Sequence, residues 1–164
     1  MRILLVADGR SPITMHFAEG LRSQGFELGL VSTYHCQPDE SLFEEVYILP
    51  VAFAQFSGSQ VQTKNEVPQQ NDQHPQVSSR RKLISHFRNA LQTVRYIFGP
   101  MTITSAARTF RDIVEQFQPA LVHALRIPFE GMLASYTPYH IPLIASIWGN
   151  DITLHAQGSA AMRT

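Results

Sequence analysis

His123 is the side chain of this sequence best suited to chemistry near neutral pH. It lies near the end of the apolar run Ala120–Ala124, and Arg126 follows shortly after. A histidine at the carboxyl end of a strand can act as a base or bind a hydroxyl group. An arginine there can bind a phosphate or a carboxylate through two parallel hydrogen bonds. The structural alternative for His123, which is favoured when this residue is taken alone, is a half-buried histidine hydrogen-bonded to the backbone. The structural alternative for Arg126 is an ion pair with Glu130.

The loop from Asp8 to Thr14 is a second candidate. Gly9 lets backbone approach a ligand, and the start of a helix offers free N–H groups to an anion. With Gly9, we take Arg10 and Ser11 as candidate substrate-binding residues. The loop matches neither the dinucleotide-binding glycine pattern nor a P-loop, so it gives little support to either kind of nucleotide site. Taken alone, the segment favours a tight strand-to-helix turn.

A third candidate is the turn from Trp148 to Asp151, directly after the apolar run Pro142–Ile147. Asn150 and Asp151 would supply the mixed donors and acceptors that sugar hydroxyl groups need. They would share a cleft with His123 if the two preceding strands are neighbours. The alternative is a capped turn in which Asp151 begins a helix and Trp148 packs in the core.

Composition argues against several other kinds of site. Thirteen basic residues balance thirteen acidic ones, so bulk charge does not draw the chain to nucleic acid. The single cysteine, Cys36, rules out an internal disulfide and a cysteine-based zinc site. The histidines show no metal-ligand spacing, and no G-x-S-x-G motif is present. The N-terminal apolar run, Ile3–Ala7, is too short for a signal-peptide core, and no charge-free apolar run is long enough to span a membrane, so we expect a cytoplasmic protein.

Strands and helices must position these residues. Short apolar runs predict strands over Arg2–Ala7, Leu28–Ser32, Val46–Leu49, Ala120–Ala124 and Pro142–Ile147. Helical spacing predicts helices from Pro12 to Gly25, over 83–98, over 103–117 and near Phe129–Tyr136. This order predicts an α/β fold, a three-layer αβα Rossmann-like domain with a mostly parallel sheet. Ligands of such folds bind at the carboxyl ends of the strands.

One stretch, residues 55–79, breaks the pattern. It is rich in glutamine and poor in apolar residues, which indicates a flexible insert within a single domain spanning 1–164. Beyond it, Arg81, Arg88 and Arg95 recur every seven residues and therefore share one face of the predicted helix. We favour a solvated face; the alternative is peripheral contact with the inner face of an anionic membrane.

Four segments together resemble the N-terminal half of family-4 glycosyltransferases of the GT-B fold (glycosyl transferase group 1). They are Met1–Gly9, the helix that starts around Phe17, Gln118–His123 and Pro142–Asp151. The resemblance covers both ends of the chain and skips about 40–118. Its motifs are moderately specific together and weak singly.

The resemblance implies an enzyme with two Rossmann-like domains. Such enzymes transfer sugar from a nucleotide-sugar donor to a hydroxyl acceptor with retained configuration, usually without a metal. This chain would bind the acceptor, a sugar or a lipid-linked sugar, and its own C-terminal domain would bind the donor, with no other cofactor. Because a whole enzyme has roughly twice this length, we expect an N-terminal domain that is inactive alone.

Residue roles carry over at matching positions only. His123 matches the first histidine of the frequent His-x-His motif and is the expected catalytic residue, whereas Leu125 stands at the second position. Arg126 is then expected to bind acceptor in place of that second histidine. Gly9 matches the glycine of the loop that faces donor phosphates and acceptor. Asn150 and Asp151 match the polar loop after the next strand.

Two other classes of protein compete with this reading. One is a non-catalytic α/β binding or regulatory module, which would end as a free-standing product. The other is a flavodoxin-like or receiver-like domain, which lacks support because Asp8 stands alone after the first strand with no second acidic residue beside it.

Overall fold

A five-stranded parallel sheet forms the centre of the fold. The computed structural model describes residues 1–51, 101–149 and 151. Within these ranges the strands are β1 (Arg2–Ala7), β2 (Glu27–Ser32), β3 (Glu45–Ile48), β4 (Leu121–Ala124) and β5 (Leu143–Ala145). Their order across the sheet is β3-β2-β1-β4-β5, and every neighbouring pair is parallel. The predicted parallel α/β fold is therefore confirmed.

Burial on both faces explains why the central strands are continuously apolar. Leu4 and Leu5, consecutive residues of β1, point to opposite faces, and neither side chain is exposed. Helix α1 (Pro12–Ser23) packs on the face that contains Leu5, through Ala18. A second helix, α2, covers residues 101–117 and packs on the opposite face through Phe110 and other apolar residues. The result is the predicted three-layer arrangement.

The helix boundaries follow local chemistry. Pro12 occupies the first turn of α1, where its missing N–H costs nothing. Gly25, with φ of 81°, takes the left-handed conformation just beyond that helix. Helix α2 ends at Phe117 because Gln118 has φ of 50° and Pro119 follows.

Helix α2 contacts the sheet closely at Phe117. The ring is fully buried against Gly29 of β2. A Cβ atom at Gly29 would lie 2.8 Å from two ring carbons, which is closer than carbon atoms approach. The Arg2 guanidinium covers the same ring at 4.2 Å from its centroid. A glycine in a strand interior is therefore explained here by close helix–sheet packing.

The short helix predicted near Phe129–Tyr136 is present as α3 (Met132–Ala134), and an irregular turn over Ile127–Gly131 precedes it. Pro128 is extended and Phe129 has φ of 64°, and neither conformation continues a helix. The last strand is shorter than predicted, and it is exposed rather than buried, since β5 forms an edge of the described sheet.

Candidate functional site

The carboxyl ends of β1, β2, β4 and β5 lie at one edge of the sheet because all these strands are parallel. Every sequence-predicted site residue that the structure describes follows one of these strands or lies near its end. They form three contact groups, around His123, around Gly9 and around Asp151. Asn150 lies outside the described residues, as do the predicted insert over 55–79, the predicted helix over 83–98 and the arginines 81, 88 and 95.

His123 lies in β4, paired in register with Leu5 of β1 and Ile144 of β5. Its side chain is half-buried on the face that α1 covers, where its ring meets the edge of Phe17 with centroids 5.3 Å apart. The Nε2 atom lies 2.9 Å from the hydroxyl oxygen of Ser146, just beyond β5. The imidazole is thus held between α1 and the end of the edge strand.

Burial lowers the pKa of His123 below its ordinary value of 6.5, since desolvation penalises the imidazolium. The neutral imidazole therefore predominates at pH 7 and can accept a proton or a hydrogen bond. The unfolded chain binds this proton more tightly than the folded one. His123 therefore makes folding less favourable as the pH falls below about 6.5.

The Gly9 loop is packed against the segment that follows β2. The Gly9 N–H donates to the Ser32 hydroxyl oxygen at 3.1 Å. A Cβ atom at Gly9 would lie 2.5 Å from Cys36 Sγ and 2.8 Å from Ser32 Oγ, so only glycine fits. Burial raises the pKa of the Cys36 thiol, which keeps it protonated. The close approach that requires glycine is to this chain itself, as in the alternative of a tight turn.

Arg10 is turned back onto its own loop. Its Nε and Nη2 atoms donate to the two carboxylate oxygens of Asp8 at 3.0 and 2.9 Å. The guanidinium also stacks over Tyr34, 3.8 Å from the ring centroid. Ser11 occupies the N-cap position of α1, yet its side chain makes no capping hydrogen bond. Substrate binding by Arg10 and Ser11 stays a prediction.

Asp151 joins the loops that follow β4 and β5. Its side chain is fully buried, and one carboxylate oxygen accepts hydrogen bonds from the backbone N–H of Trp148 at 3.0 Å and of Ile127 at 3.2 Å. The other oxygen lies 3.6 Å from Nη2 of Arg126. Arg126 thus pairs with Asp151, whereas the sequence had offered Glu130 as its partner. These contacts give Asp151 a structural role, and its role in binding substrate stays a prediction.

Sequence reasoning missed Ser146 and the contact that Glu130 makes with Thr33. Glu130 is buried and accepts a hydrogen bond from the Thr33 hydroxyl at 3.0 Å, across 97 positions of sequence. Nothing local in the sequence indicates such a contact. Ser146 could have been found by the rule that ligands bind just beyond strand ends. The predicted strand Pro142–Ile147 instead places Ser146 inside the strand, whereas β5 ends at Ala145.

Within residues 1–51, 101–149 and 151, no group of three or more histidine, cysteine or acidic side chains is placed to hold a metal ion. In the same part of the chain, none of the helices combines the length and apolar character needed to cross a membrane. In comparison with known proteins, no protein-family model matches the sequence, and no curated protein is similar enough to count as a relative.

Proposed function

We propose that this chain is the acceptor-binding domain of a retaining glycosyltransferase of the GT-B fold. In this proposal a hydroxyl group of a sugar or a lipid-linked sugar binds at the carboxyl edge of the sheet. A nucleotide sugar is the co-substrate, bound by a second α/β domain in the cytoplasm, and the chain alone does not catalyse transfer.

One observation carries the proposal: the neutral, half-buried imidazole of His123 beside the Ser146 hydroxyl. An imidazole nitrogen and a hydroxyl group, close together at the ligand-binding edge of a parallel sheet, can both donate and accept hydrogen bonds. Sugar hydroxyl groups need that mixture. Among the described residues of this edge, Arg10 pairs with Asp8 and Arg126 with Asp151. Because both guanidinium groups already have an acidic partner, a hydroxyl group suits this edge better as a ligand than a strongly anionic group.

The test is sugar transfer by the full-length gene product. Nucleotide sugars and a panel of hydroxylated acceptors are supplied, and transfer is measured for the native protein and for His123→Ala. We expect the variant to lose transfer by about 100-fold or more, the usual worth of a group that handles a proton in the transition state. Binding of the donor should be unchanged, because the donor is held by the other domain.

His16→Ala is the matched control, since His16 is an exposed histidine of α1 whose Nδ1 atom lies 3.4 Å from Oε2 of Glu19. It should leave transfer within about twofold of the native rate, as expected for a surface substitution. Equal turnover in His123→Ala and the control would remove His123 from the site. Absence of transfer with every donor and acceptor would contradict the glycosyltransferase proposal.

A non-catalytic α/β binding module is the second candidate. It is favoured by the first loop, in which Gly9 packs against Cys36 and Arg10 is bound to Asp8. These internal contacts favour a structural role for the first loop over a catalytic one. Under this reading the gene product binds a small molecule or a protein without turnover, and it is complete without a donor domain. The transfer assay therefore separates the two candidates.

A further inference from the structure

Ser146 is placed to control which nitrogen of His123 faces a ligand. Its backbone N–H donates to the carbonyl oxygen of Ala124 at 2.9 Å, so the residue is anchored to the end of β4. Its hydroxyl oxygen lies 2.9 Å from Nε2 of His123. Within the described residues, no hydrogen-bonding group contacts the other ring nitrogen, Nδ1. Among the described residues, the half-buried ring thus has one nitrogen that contacts the protein through a hydrogen bond and one, Nδ1, that does not.

The chemistry of imidazole links these two nitrogens. In the neutral ring one nitrogen carries the proton and donates, and the other has a lone pair and accepts. If Nε2–H donates to the serine hydroxyl, Nδ1 must be the acceptor. If the hydroxyl donates to Nε2, Nδ1 must carry the proton. The direction of the hydrogen bond between Ser146 and Nε2 therefore determines whether Nδ1 donates or accepts a hydrogen bond.

We propose that Ser146 is a positioning residue that accepts a hydrogen bond from Nε2–H of His123 and so presents Nδ1 as the acceptor for a ligand hydroxyl group. This inference rests on the proposed function for the identity of the ligand. The same hydrogen bond persists when His123 is protonated, because both ring nitrogens then donate. The serine would therefore not need to reorganise if His123 gained a proton from its ligand.

The charged groups near the ring have partners of their own, so the effect of Ser146 on the His123 pKa can be measured separately from theirs. Strand β5 carries no titratable side chain. On β1 and α1, each described charged group other than His16 has a partner of opposite type at 2.8–3.8 Å. These groups are Arg2 on β1 and Glu19 and Arg22 on α1. In the loops beyond the strands, Asp8 pairs with Arg10 and Arg126 with Asp151.

The experiment is a pH titration of the ring nitrogens of His123 by NMR in the ¹⁵N-histidine-labelled chain. The His123→Ala spectrum assigns the signal among the seven histidines. We expect the Nε2–H form above the pKa. Because a hydrogen bond from a cation is about twice as strong as one from a neutral group, Ser146→Ala should make His123 titrate roughly half to one pH unit lower. Ser146→Thr, which keeps the hydroxyl, should restore the native titration.

The sign of the change decides the inference. A dominant Nδ1–H form, a rise in the His123 pKa in Ser146→Ala, or no change at all would overturn it. Addition of an acceptor sugar separates this inference from the proposed function. If the Nδ1 signal does not move when the sugar is added, sugar binding is contradicted. The tautomer and the sign of the pKa change are measured without sugar and test only the role of Ser146.

Discussion

Phe117→Ala should destabilise the fold by about 3–5 kcal/mol, the range for truncating a fully buried phenylalanine. The ring is 0% exposed, ends α2 and contacts the backbone of β2 at Gly29, so alanine leaves a cavity at the helix–sheet interface. Small domains have only about 5–15 kcal/mol of total stability. The urea midpoint should fall strongly, and the slope of the transition should remain constant.

The control is Ile13→Ala on α1, where the side chain is 52% exposed and the change should be below about 1 kcal/mol. A double-mutant cycle sharpens the test. Gly29→Ala should be destabilising in the native background, where its Cβ would meet the ring at 2.8 Å, and less so when Phe117 is already alanine, since only the approach to Leu4 Cδ1 at 3.0 Å then remains. Additive effects of the two substitutions, or a loss in Phe117→Ala no larger than in the control, would contradict the packing described for α2.

Asp151→Ala should cost about 2–4 kcal/mol, because it removes the acceptor of two backbone N–H groups and the charge that faces Arg126. The side chain is fully buried, so water cannot simply take its place. Asp151→Asn keeps an oxygen that can accept both backbone hydrogen bonds but removes the charge, and its loss should be smaller. The measurement is urea unfolding followed by circular dichroism.

Asp112→Ala is the matched control, since Asp112 is an exposed residue of α2 and its removal should change stability by no more than about 0.5 kcal/mol. Equal stability of the Asp151 and Asp112 variants would show that Asp151 does not join the loops after β4 and β5. Asp151 would then remain available for ligand binding alone.

The strands were predictable because burial on both faces requires continuous apolar runs, and β1, β2 and β4 have them. The start of α1 was predictable because Pro12 fits only the first turn of a helix. The exposure of β5 was not predictable from the sequence. Leu143 and Ile144 are as apolar as the residues of β1, and only their place at the sheet edge distinguishes them. The short helix α3 was predictable in place, because its predicted range begins directly after Pro128, where a helix cannot continue from the preceding residues.

The candidate site was predictable in location and less so in its contacts. His123, Gly9 and Arg126 were identified because the carboxyl ends of parallel strands meet at one edge. The partners of these residues depend on long-range packing that spacing along the chain does not encode. Cys36 and Ser32 require the glycine at position 9, and Ser146 engages His123 from 23 positions away.

Binding of a hydroxylated ligand at the carboxyl edge of the sheet can be measured by backbone-amide NMR of this chain during titration with methyl glycosides and disaccharides. We expect saturable shifts at Gly9, Ile127 and Ser146, which follow three different strands, and loss of these shifts in His123→Ala but not in His16→Ala. Shifts confined to the opposite edge, where β2 and β4 begin at Glu27 and Leu121, or no saturable shift with any sugar, would contradict it.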